Sequence, residues 1–96
     1  MIPVYCVSGL GADERIFSDL DIGEGYEIIP VKHVDHRGCE TLKEYALLLA
    51  QKIPIDREVV LLGDSFGGMV VQEIAQVRKV KFLILTSTIK QGDNLD

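Results

Sequence analysis

Apolar and polar positions along the chain follow two rhythms. An apolar run ending at glycine covers residues 2–8, and strand-like segments rich in apolar residues cover 26–33, 58–63 and 80–87. Runs of this length and setting predict strands, and the lack of strict polar alternation predicts burial on both faces, as in a parallel sheet. A different rhythm lies between them. Leu42, Tyr45, Ala46, Leu49 and Ile53 recur at spacings of three and four, which lines one face of a helix. Thr41-Leu42-Lys43-Glu44 has the form of a capping box in front of it, and Pro54 stops it. Residues 66–77 are apolar on most sides and predict a buried helix. A shorter helix is expected over residues 13–20, capped by Asp13, with Ile16, Phe17 and Leu20 facing inward. The tail beyond residue 87 is polar and predicts no element.

Strands and helices in this alternation predict an α/β chain: a parallel sheet of about four strands joined by three right-handed crossover helices. With 96 residues there is room for a single domain, residues 1–96. Such sheets bind ligands beyond the carboxyl ends of their strands, where strand order reverses. Two glycine-rich loops follow strands here, Ser8-Gly9-Leu10-Gly11 after the first and the segment from Gly63 to Gly68 after the third.

The second loop carries chemistry. In Gly63-Asp64-Ser65-Phe66-Gly67 a serine stands between two glycines, where a buried strand gives way to an apolar helix. A sharp strand-to-helix turn strains its apex residue, and small neighbours two positions away let strand and helix pass closely. The apex hydroxyl then projects at the positive end of a helix. This is the G-x-S-x-G nucleophile elbow, with Ser65 as nucleophile. The developing oxyanion needs donors, and the backbone N–H groups of Phe66 and Leu10 are expected to supply them. The bland alternative is a tight turn with a serine cap. A dinucleotide loop at Gly9-x-Gly11 is disfavoured, because Glu14 stands where a third small residue belongs and adds negative charge beside Asp13. His33, Asp35 and His36 offer metal-ligand types, but three ligands in four residues seldom converge, and a solvated loop is expected.

Composition narrows the rest. The net charge is −5, from 15 acidic and 10 basic residues, and no basic run exceeds two, so no nucleic-acid footprint is present. No apolar run approaches bilayer-spanning length. Cys6 and Cys39 have no metal-ligand spacing and are expected to be reduced thiols. With no basic leader before the first strand, a cytoplasmic chain is expected.

With these residues in view, nearly the whole chain resembles the N-terminal half of an α/β-hydrolase, of the small bacterial type. "YCVSGLGADERIF" resembles the oxyanion-loop segment, "LLGDSFGGMVVQEIA" the elbow and its helix, and "FLILTST" the strand that follows. Ser8 departs from the pattern, since many members have His before that glycine. The resemblance implies that the second strand lies outside the first, with the third and fourth on the other side. The reversal then falls between Leu10 and Ser65. Pro30 would lie on an edge strand, the one place a strand proline is tolerated. In this fold the acid and the histidine follow the nucleophile. No histidine follows Ser65, and beyond the fourth strand the only carboxylates are Asp93 and Asp96. The expectation is therefore a partial α/β-hydrolase domain that lacks the acid and histidine portion. Its parent would be a serine hydrolase acting on a small-molecule carboxylic ester or similar acyl bond, with no cofactor and no metal. The open edge of the fourth strand would be available for self-association. The alternative is a non-catalytic α/β binding or assembly module.

Overall fold

A computed structural model of the chain describes residues 1–9, 17 and 23–86. The strands are β1 (Ile2–Val7), β2 (Tyr26–Pro30), β3 (Val60–Asp64) and β4 (Phe82–Thr86), and the helices are α1 (Leu42–Ala50) and α2 (Phe66–Val77). The strands form one sheet in the order β2-β1-β3-β4, and every neighbouring pair is parallel. The chain is thus of the α/β class, with the strand order and reversal point that the sequence led us to expect. Of the three expected helices, the structure shows α1 and α2. The one expected over residues 13–20 lies outside the described residues except for Phe17, which is buried.

The helices form for local reasons. Thr41 caps α1 through its Oγ1, which accepts the Glu44 N–H at 3.1 Å. The return arm of the capping box differs from the simplest form, because Glu44 Oε2 accepts from the Glu40 N–H at 2.7 Å. Past Ala50 the helix tightens. Gln51, Lys52 and Ile53 each donate to a carbonyl three residues back, and the chain then reaches Pro54.

β2 is shorter than the run 26–33 suggested. Its last bond to β1 comes from the Val31 N–H to the Cys6 carbonyl at 2.8 Å. The chain then leaves the sheet, which frees His33 to reach the loop after β1. Pro30 sits opposite Cys6 on the edge strand, where its missing N–H costs the sheet nothing.

Side-chain alternation divides the core in two. Tyr5, Val7 and Leu61 face the helices and pack with Tyr45, Ala46, Leu49, Val70, Val71 and Ile74. Val4, Cys6, Val60 and Leu62 point the other way and pack with Phe17. Each fully buried Leu or Ile contributes about 2 kcal/mol by leaving water. Both helices lie on one face, so the two crossovers run in the same direction from β2 through β3 to β4. The connection from β1 to β2 runs the opposite way. The sheet therefore has a crevice at the carboxyl ends of β1 and β3, between Ser8-Gly9 and Ser65.

Burial in the second cluster pushes the Cys6 thiol from its ordinary 9.0 up to about 12, and a hydrogen bond with the Ile29 backbone opposes this in part. The folded chain therefore holds this proton to higher pH than the unfolded chain does. Stability is fully present below about pH 9 and falls as pH rises from there toward about 12. Urea melts between pH 8 and 10.5 should show this decline, with a shallower slope in Cys6→Ala. Equal slopes in the two proteins would contradict the assignment.

Among the described residues, no helix is long and apolar enough to cross a membrane.

Candidate active site

The site begins with the backbone of Ser65. Its φ of 57° and ψ of −123° make it the only non-glycine residue at positive φ among the described residues. An L side chain there is strained, and such strain persists only where the surroundings enforce it. Three contacts do so. The Ser65 N–H donates to the Thr86 carbonyl at 3.0 Å, and Thr86 Oγ1 donates to Asp64 Oδ1 at 2.7 Å. The last residue of β4 therefore holds both the Asp64 side chain and the Ser65 amide where the chain enters the turn. On the other side, the Ser65 carbonyl accepts from the Gly68 N–H at 3.0 Å, which starts α2.

The glycines are needed for closeness. A Cβ on Gly63 would collide with the Gly67 carbonyl and lie 2.5 Å from Gly68 Cα. A Cβ on Gly67 would collide with the Val7 carbonyl and lie 2.7 Å from that of Ser8. The start of α2 is therefore laid directly on the backbone at the end of β1. None of these glycines needs positive φ, so their role here is absence of bulk rather than backbone freedom.

Ser65 is exposed at the apex, and it makes no side-chain capping bond to α2. This removes the reading of a plain serine cap. Phe66 opens the helix, and an α-helix leaves its first amides without partners inside the helix. Those amides and the helix dipole make the surroundings of Ser65 electropositive. Gly9 stands against the serine: a Cβ there would lie 3.3 Å from Ser65 Cβ and 3.5 Å from its Oγ. The structure thus brings together Ser65, Phe66 and the beginning of the loop after β1. Leu10, the expected second oxyanion donor, lies outside the described residues.

The two histidines have other partners. His33 Nε2 lies 2.7 Å from the Ser8 carbonyl, and its Nδ1 lies 2.6 Å from the Tyr45 hydroxyl. A carbonyl only accepts, so Nε2 carries a proton; in the neutral ring Nδ1 then accepts from the Tyr45 hydroxyl, whose other acceptor within reach is the Val34 carbonyl at 3.4 Å. With both nitrogens engaged, His33 has no lone pair to offer Ser65. Burial pushes the Tyr45 hydroxyl above its ordinary 10.0. Asp35 is tied to Arg37 through Nε at 2.8 Å and Nη2 at 2.6 Å, and this exposed pairing holds its carboxyl below the usual range. Among the described residues, His33, Asp35 and His36 included, no three such side chains are grouped to hold a metal ion.

A cavity of about 310 Å³ opens next to the elbow. Tyr45, Phe66, Leu42, Cys39, His36 and Glu40 are among the residues that line it. The Phe66 ring, which lines it, packs obliquely on Tyr45, 6.2 Å between centroids.

The elbow is legible in the sequence, but two parts of its support are not. Thr86 was part of an expected strand, and a hydroxyl at a strand end beside the acidic residue of the elbow was its only signal. At His33 the structure differs from the solvated loop expected there, and nothing in its sequence neighbours points to Ser8 or Tyr45.

No protein-family model matches this sequence, and no curated protein matches it.

Proposed function

We propose that this chain is the nucleophile-bearing part of a serine hydrolase of the α/β-hydrolase type, acting on a carboxylic ester or similar acyl bond of a small molecule. Ser65 Oγ attacks the acyl carbonyl. The Phe66 and Leu10 N–H groups receive the oxyanion of the tetrahedral intermediate. The serine proton passes to a histidine, itself held by a carboxylate, both supplied by sequence outside these 96 residues. The observation that carries this reading is the strained, exposed Ser65 at φ 57°, wedged between β3 and a helix too close for any residue but glycine at positions 63 and 67. The apolar cavity beside Phe66 suits an acyl or alcohol group with little charge. Two free thiols, Cys6 and Cys39, fit a reducing, cytoplasmic setting.

The test is fluorophosphonate labelling of the full-length protein, with the adduct mapped by peptide mass spectrometry. The adduct is expected on Ser65. Labelling that persists in Ser65→Ala overturns the assignment.

One observation favours the alternative, a non-catalytic assembly module. β4 is outermost among the described strands, and Phe82 on it is 53% exposed. Exposed apolar edge strands invite pairing with other chains. Under this reading the 96-residue chain forms a defined oligomer by light scattering, Phe82→Lys dissolves it, and the full-length protein takes no fluorophosphonate. A monodisperse monomer at high concentration counts against it.

A further inference from the structure

We propose that His33 is a positioning residue for the oxyanion loop, acting as a strut that sets the direction of the Ser8–Gly9 peptide beside the nucleophile; the catalytic part of this inference rests on the reading of Ser65 above. Three segments meet in the strut. The Val34 N–H donates to the Tyr45 hydroxyl at 3.3 Å, the hydroxyl donates to His33 Nδ1 at 2.6 Å, and His33 Nε2–H donates to the Ser8 carbonyl at 2.7 Å. The chain of bonds thus runs from the exit of β2 through α1 to the exit of β1. The Tyr45 ring stacks on the His33 ring at 5.8 Å with 17° between planes, so the imidazole is fixed by face as well as by its two nitrogens.

The consequence follows from the geometry of a trans peptide. The Ser8 C=O and the Gly9 N–H lie in one plane and point in opposite directions. Fixing the carbonyl toward His33 fixes the plane, and with it the direction of the Gly9 N–H. This segment has little freedom to settle elsewhere, because α2 lies on the Val7 and Ser8 carbonyls at Gly67, and Gly9 abuts Ser65. His33 therefore acts on Ser65 at one remove, without touching the reacting atoms. A displacement of even about 1 Å in groups that position a reaction costs up to about 100-fold in rate.

The test uses the full-length protein and three variants. His33→Phe keeps a ring but removes the donor. His33→Gln places an amide donor near the position of Nε2. Tyr45→Phe removes the partner of Nδ1. Fluorophosphonate inactivation is measured as a maximal rate and a half-saturating concentration, and amide exchange is measured at Gly9. His33→Phe is expected to lower the maximal rate by about 10- to 100-fold with half-saturation nearly unchanged, and to speed Gly9 exchange. His33→Gln is expected to recover most of both, and Tyr45→Phe to give a smaller loss of the same kind. A His33→Phe protein with unchanged rate and unchanged Gly9 exchange overturns the proposal. So does a loss that His33→Gln fails to recover although that variant is folded. If the wild-type protein takes no label at Ser65, the nucleophile reading fails, and Gly9 exchange still decides the strut: faster in His33→Phe supports it, unchanged overturns it.

Discussion

Gly67→Ala is expected to cost the fold a large share of its stability. The new methyl carbon would fall on the Val7 carbonyl and lie 2.7 Å from the Ser8 carbonyl oxygen. Both are backbone atoms at the end of β1, a strand paired on both sides, so neither can turn aside as a side chain would. Relief requires α2 to lift from the sheet, and α2 carries Val70, Val71 and Ile74 into the core. Forcing bulk into such a site costs about 3 kcal/mol or more. A domain of this size has only about 5–10 kcal/mol in total. Urea denaturation followed by circular dichroism measures the loss. Met69→Ala, on the exposed side of the same helix, is the control and should melt close to wild type. A Gly67→Ala protein that melts with the control would show that α2 does not lie where the structure has it.

The second large effect divides chemistry from stability at one residue. Ser65→Ala is expected to reduce acyl transfer and fluorophosphonate labelling by at least about 10⁴-fold in the full-length protein, since no other hydroxyl occupies the apex. It should not relieve the strain, because alanine keeps the Cβ that makes φ 57° unfavourable. Ser65→Gly removes both. Strain of this kind costs about 1–3 kcal/mol, and the added freedom of glycine in the unfolded chain returns part of it. Ser65→Gly is therefore expected to be more stable than Ser65→Ala by about 1 kcal/mol, read as a higher urea midpoint at equal slope. Equal midpoints would mean that the turn relaxes and that Ser65 is not held at its apex by force. Together the two variants show whether the fold gives up stability to present this hydroxyl.

Much of the architecture was legible because it rests on short-range rules. The spacing of Leu42, Tyr45, Ala46 and Leu49 indicated α1 and its buried face, and Thr41 indicated where the helix starts. Gly63 and Gly67 marked the elbow because close packing of a strand on its following helix leaves room for little else. The strand ends were less legible. β2 stops at Pro30 and β4 starts at Phe82, inside the strands expected over 26–33 and 80–87: past Val31 the chain turns away from β1, and β4 begins opposite Val60, where β3 begins.

The sequence by itself determined the α/β class, the places of the four strands, α1 and α2, and Ser65 as the residue at the turn. Each of these follows from residues within a few positions of one another. Tertiary structure alone decided what holds the turn. Thr86 reaches Asp64 across 22 positions, and His33 reaches Ser8 across 25. It also decided that both ring nitrogens of His33 are engaged, by Tyr45 and Ser8, which leaves no lone pair for the serine. Contacts at such separations depend on strand order and register, and the identity of a histidine carries neither.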